Sequence, residues 1–206
     1  MTSLEMRQNP LFLRNSTAMA GRWNFPVIRK QPLPSDKIQL IACSDTRNND
    51  TLNNNKGVHF FVDDYRFESI YRNPEKSRSK FSQYRFLLTP DYSLYADMPM
   101  WRQIESVGKN RWCGAWWQSH GITVIPTISW SSYPSYAFCF DGIEEHSCVA
   151  VGMIGCKGNR LGFMRGYDAM LEYIKPEAII CFGEPFQEMR GNVIPVDYLS
   201  SRKVVR

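Results

Sequence analysis

Asp63, Asp91 and Glu184 each follow closely on a point where a short apolar run gives way to polar or turn residues. Carboxylates gathered from separate segments can hold a hard divalent cation. They can also divide into acid and base, because crowded like charges push one pKa upward. Asp64 is not expected to share a crevice with Asp63, since neighbours on a strand project to opposite faces, so Asp63 and Asp91 are preferred as the pair. The plain alternative for each is an aspartate that caps the helix after a strand.

A second group lies in Cys156-Lys157-Gly158-Asn159-Arg160-Leu161-Gly162, which links an apolar run to a segment of helical spacing. Backbone N–H groups and positive charge at a helix start favour phosphate, so Lys157 and Arg160, with Arg165 one turn later, are candidate anion ligands. The string matches neither the Walker loop nor the dinucleotide fingerprint, and an ordinary glycine-rich turn is the alternative. Cys156 is a candidate nucleophile if a helix dipole and Lys157 lower its pKa. Ser129 and Trp130 close another apolar run and are assigned to substrate contact. Among the dense tryptophans, Trp112 and Trp116 share a helical face and belong to the core, whereas Trp117 and Trp130 are expected as exposed platforms on which bases stack.

These residues need elements to position them. From Gly57 onward, short apolar runs alternate with helically spaced segments, the pattern of parallel β/α units. The runs are 58–62, 86–88, 122–126, 148–154 and 178–182, and the runs 38–43 and 193–196 bring the strands to seven. Strands apolar on both faces belong in a sheet covered by helices on both sides or in a barrel. An incomplete TIM-like β/α barrel is the first choice, with a doubly wound open sheet as the alternative. In either architecture the working groups sit at the carboxyl ends of the strands. Asp97 is expected to cap a helix carrying Pro99 in its first turn and closed by Gly121. Met164, Tyr167, Leu171 and Ile174 form a buried stripe on a later helix that Pro176 stops.

Residues 1–35, basic and proline-containing, are expected as an extended arm packed on a single α/β domain of residues 36–206. The stretch from Arg47 to Lys56 is too polar to bury and is expected as a mobile connector. The C-terminal Ser201-Arg202-Lys203-Val204-Val205-Arg206 adds basic surface.

Across 206 residues, 43% are hydrophobic, which suits one full core rather than a disordered chain. No apolar run approaches the roughly 20 residues that span a bilayer, and the N-terminus lacks the apolar centre of a secretion signal. A cytoplasmic protein without membrane association is therefore expected. The six cysteines show no C-x-x-C spacing and read as reduced core thiols, which leaves a zinc site unsupported. The net charge of +5 is compatible with an anionic ligand or nucleic acid as partner, without requiring one.

The strings FLRNSTAMAGRW, GVHFFVDDYRFESIY, NRWCGAWWQSHGITVIPTISW and FCFDGIEEHSCVAVGMIGC resemble a domain-of-unknown-function family encoded by bacteria, phages, plasmids and conjugative elements. The resemblance runs from Phe12 to Arg206 and implies an accessory protein of a phage or mobile element. Two functions stay open. One is a hydrolase or phosphoryl-directed enzyme acting on a nucleotide or nucleic acid at the strand-end carboxylates, with a divalent cation on Asp63, Asp91 and Glu184 as the cofactor such a cluster would take. The other is a non-catalytic factor that binds nucleic acid or a host protein, as in anti-defence or host takeover.

Overall fold

The computed structural model describes residues 2–34 and 37–201. The arm boundary at 35–36 and the basic tail at 202–206 lie outside the described residues. All seven expected runs contain strands: β3 (Leu40–Ala42), β4 (Gly57–His59), β5 (Phe86–Leu88), β6 (Val124–Ile125), β7 (Val149–Gly152), β8 (Ile179–Phe182) and β9 (Val193–Val196). β3, β4, β5 and β6 form one parallel sheet in chain order, and β7, β8 and β9 form a second, also parallel. The sheets touch where Thr127 pairs in parallel with Ala150. The Ala150 N–H donates to the Pro126 carbonyl and the Ile128 N–H to the Ala150 carbonyl, each at 2.8 Å. Pro126 has no N–H, so the ladder is interrupted there and only a bridge forms.

Alternate strand residues enter two different cores, as the period of two demands. Ile41, Val58, Leu87, Val124, Val151 and Ile179 pack against helices α5 (Met100–Ser119) and α6 (Arg160–Ile174). Leu40, Phe86, Leu88, Ile125, Ile180 and Phe182 instead pack with one another, away from those helices. Room for this second core is made at Gly57, where a Cβ would lie 2.2 Å from the Phe86 ring.

α5 starts at Met100 with Pro99 at its N-cap and no side-chain cap, so Asp97 does not perform the capping expected of it. Gly121, at φ +78°, turns the chain out of the helix as anticipated. Trp112 and Trp116 stack in the core at 6.0 Å. Trp117 is fully buried rather than an exposed platform, stacked on Phe60 at 5.6 Å and edge-on to Phe81 at 6.0 Å. In α6 the buried positions are Phe163, Gly166, Tyr167, Met170 and Ile174, so the stripe is turned slightly from the expected one and leaves Met164 and Leu171 at its margin.

Residues 3–13 are coiled rather than extended. Thr2 and Glu5 form a capping box for α1 (Ser3–Gln8), and Asn9 caps α2 (Pro10–Leu13), whose first residue is a proline. β1 (Met19–Ala20) and β2 (Phe25–Pro26) pair antiparallel, and Phe25 and Ile28 enter the helix-side core. The Arg47–Lys56 stretch is pinned. Asp50 is buried and accepts the Leu52 and Asn53 N–H groups and the Tyr84 hydroxyl, while Gln83 bonds the Asp50 N–H and the Arg47 carbonyl. The aspartate and asparagine that mark this stretch as loop-forming are the ones that fasten it.

Candidate active site at the strand ends

A cleft of about 800 Å³ opens at the carboxyl ends of the strands, lined by Ala42 at the end of β3 with Ser44 beyond it, His59 at the end of β4 with Phe61 and Asp63 beyond it, and Asp91 after β5. Ser129 and Trp130 beyond β6, Cys156 beyond β7 and Tyr198 near the C-terminus complete it. Its size falls within the roughly 300–1,000 Å³ typical of small-molecule sites.

At its centre, the Ser129 hydroxyl donates to Asp91 Oδ1 at 2.6 Å. Because β5 and β6 are adjacent and parallel, residues just past their ends meet without any further device. Burial pushes the Asp91 carboxyl up to about 6. The Ser129 hydroxyl works against this rise and the charge of Asp64 adds to it. Asp64 itself accepts the Ser93 N–H and hydroxyl, which fixes the chain just after Asp91. Asp63 sits exposed on the rim, 3.7 Å from Arg66.

His59 lines the floor and is 2% exposed. Its Nδ1 accepts the Phe61 N–H at 3.2 Å, so the proton of the neutral ring is on Nε2, which has no partner among the described residues. Burial pushes its pKa down to about 3, so the ring stays neutral across physiological pH. The Trp130 ring packs on Phe163 at 5.1 Å. It lies so close to the α6 backbone that a Cβ on Gly166 would be 2.2 Å from it. The tryptophan is thus a half-buried wall of the cleft rather than a free platform.

The structure brings together Asp63, Asp91, Ser129, Trp130 and Cys156 around one cavity. The remaining candidates stand elsewhere. Lys157 and Glu184 face each other at 3.7 Å on the surface, Arg160 pairs with Glu188, and Arg165 is exposed, and none of the four lines the cleft. The glycine-rich segment satisfies its own helix start, because Asn159 accepts the Gly162 N–H at 3.1 Å. No three His, Cys, Asp or Glu side chains among the described residues converge to hold a metal ion, so the cation site expected from Asp63, Asp91 and Glu184 is not assembled. Burial and the charge of Asp91 push the Cys156 thiol up to about 11, the reverse of the lowering expected of a nucleophile. Among the described residues no helix is long and apolar enough to cross a membrane.

His59, Phe61, Tyr92 and Tyr198 line the cleft without having been singled out from sequence. His59 did carry a signal: it is a polar residue inside an apolar strand, on the face opposite the helix-packed Val58.

No solved structure matches the chain. It is similar to the Gene 1 protein of Mycobacterium phage L5, at 36% identity over 180 residues, which are 84% of this chain and 77% of that protein. It is also similar to the Gene 1 protein of Mycobacterium phage D29, at 39% identity over 129 residues, 61% of this chain and 48% of that protein. Residues 17–199 match the family described as domain of unknown function DUF4417, and the chain, with relatives encoded by phages, belongs to that family.

Proposed function

We propose that this protein is an enzyme of phage or mobile-element origin that performs acid–base hydrolysis on a small molecule of the nucleobase, nucleoside or nucleotide class in the strand-end cleft. One observation carries the reading: a carboxyl group whose pKa is raised to about 6, hydrogen-bonded to Ser129, in the cavity that five strand ends share. In its ionised form Asp91 takes a proton from water as the water oxygen bonds to an electrophilic carbon. The leaving group then departs with the proton that Asp91 returns. Hydrolysis at carbon fits better than phosphoryl transfer, because Arg66 is the one basic side chain among those lining the cleft. We read the chain-ordered parallel strands, their bridge at Thr127 and Ala150, and the core their inner faces make together as an incomplete barrel, the architecture that gathers such a site.

The test is turnover by the full-length protein of a panel of nucleosides, nucleotides and bases, read by chromatography. Loss of turnover in Asp91→Asn with an unchanged fold is the expected result. Full activity in that variant removes Asp91 from the chemistry. A second reading, binding of nucleic acid or a host protein without catalysis, draws on Trp101 and Tyr65, which are 68% and 74% exposed. It requires nucleic-acid affinity that falls steeply with salt, or a pulled-down partner lost on Trp101→Ala.

A further inference from the structure

Resting on the cleft as the working site, we infer that its ligand is a planar, phosphate-free heteroaromatic molecule of the nucleobase or nucleoside class, not a nucleotide or nucleic-acid strand. The first ground is charge. Asp45, Asp63 and Asp91 line the cleft against Arg66 alone, and Arg66 already faces Asp63 at 3.7 Å. A phosphate entering there meets an excess of carboxylates. The lysine and arginine that would hold it, Lys157 and Arg160, are paired with Glu184 and Glu188 outside the cavity.

The second ground is shape. Phe61, Trp130, Phe163 and Tyr198 line the cavity, and packing against other rings holds the first three in place. Phe61 stacks on Phe182 at 4.7 Å with only 12° between the planes, and Trp130 is wedged against Phe163 and the backbone at Gly166. Fixed rings of this kind accept the π-face of a base with little ordering cost.

The third ground is the polar inventory of the floor. His59 holds a buried Nε2–H that finds no acceptor among the described residues, and the Asp91 carboxylate, whose Oδ1 takes the Ser129 hydroxyl, lines the same cleft. A donor without a partner and a carboxylate acceptor lining one cavity are what a ring carrying both a carbonyl or ring nitrogen and an amino or imino group would engage. Because the His59 ring remains neutral, it offers that donor without adding the positive charge that would draw a phosphate.

The experiment is calorimetric titration of the full-length protein with adenosine, guanosine, cytidine, uridine and thymidine, with their free bases, and with their 5′-monophosphates. We expect at least one base or nucleoside to bind at least tenfold more tightly than its monophosphate. That binding should weaken at least tenfold in His59→Phe, which keeps a ring in the stack but removes the donor, and again in Asp91→Asn. A monophosphate that binds equally well or better, or no binding by any base or nucleoside, overturns the inference. Monophosphate binding that Asp91→Asn abolishes would do so while leaving the cleft as the working site. Nucleoside binding indifferent to both substitutions would move the ligand out of the cleft and overturn the functional reading too.

Discussion

Replacing Asp91 with asparagine should make the protein more stable above about pH 6, because the folded chain holds this carboxyl where ionising is unfavourable. In the unfolded chain the group ionises near its ordinary 3.8, and in the folded chain only at about 6. Between those values the folded protein keeps a proton that the unfolded chain has released. The Asp91 contribution to stability is therefore full below about pH 4 and is lost as pH rises through about 6. At about 1.4 kcal/mol per pH unit, the charged form costs the fold at most about 3 kcal/mol, with solvent at the cleft mouth screening part of it. Asparagine keeps the Oδ1 that accepts the Ser129 hydroxyl but cannot ionise. His59 acts in the opposite sense. Its folded pKa near 3 against an ordinary 6.5 means stability is lost as pH falls through that range, so the informative quantity is the difference between the two proteins at each pH. Urea unfolding followed by tryptophan fluorescence from pH 4.5 to 7.5 should show that difference growing with pH toward about 2–3 kcal/mol in favour of Asp91→Asn. A difference independent of pH would mean that burial does not raise this carboxyl.

Three further outcomes follow from individual contacts in the structure. Gly166→Ala should destabilise the fold by about 1–3 kcal/mol and shift the Trp130 emission, because the new methyl would sit 2.2 Å from the indole ring; unchanged stability and emission would mean the wall yields freely. Alkylation of Cys156 by iodoacetamide at pH 7.5 should be slow and should quicken in Asp91→Asn, since burial and the Asp91 charge both hold the thiol protonated, as peptide mapping of labelled protein would register. Asp50→Ala should cost about 2–3 kcal/mol and expose the 47–56 backbone to hydrogen exchange, because it strips acceptors from Leu52, Asn53 and Tyr84 at once.

Strand positions from β3 to β8 were legible because those apolar runs are buried on both faces, and that burial is written in residue type; β9 is only partly buried. So was the gathering of Asp63, Asp91, Ser129, Trp130 and Cys156, since parallel neighbours carry their ends to one side. Side-chain direction was not. Lys157 and Arg160 find carboxylates on later segments, Glu184 and Glu188, and turn from the cavity toward them. Such pairings depend on loop paths that periodicity does not encode. The burial of Trp117 was not legible because only its packed neighbours in the helix-side core, Phe60 just after β4 and Phe81 at the end of the helix Pro74–Phe81, decide that its face of α5 is interior. Asp50 shows the same limit: a string of polar residues reads as a free loop until Tyr84 and Gln83 are known to stand beside it. His59 stands out as a candidate only through its second nitrogen, which has no partner among the described residues.

The most direct measurement is the set of indole N–H resonances of the ¹⁵N-labelled full-length protein during titration with the nucleoside that calorimetry finds tightest. Trp130 lines the cleft, whereas Trp101 lies on the open surface and Trp117 deep in the core. A saturable shift at Trp130 that Asp91→Asn removes, with Trp101 unmoved, is the expected result. A saturable shift at Trp101 with Trp130 silent would contradict binding in the cleft.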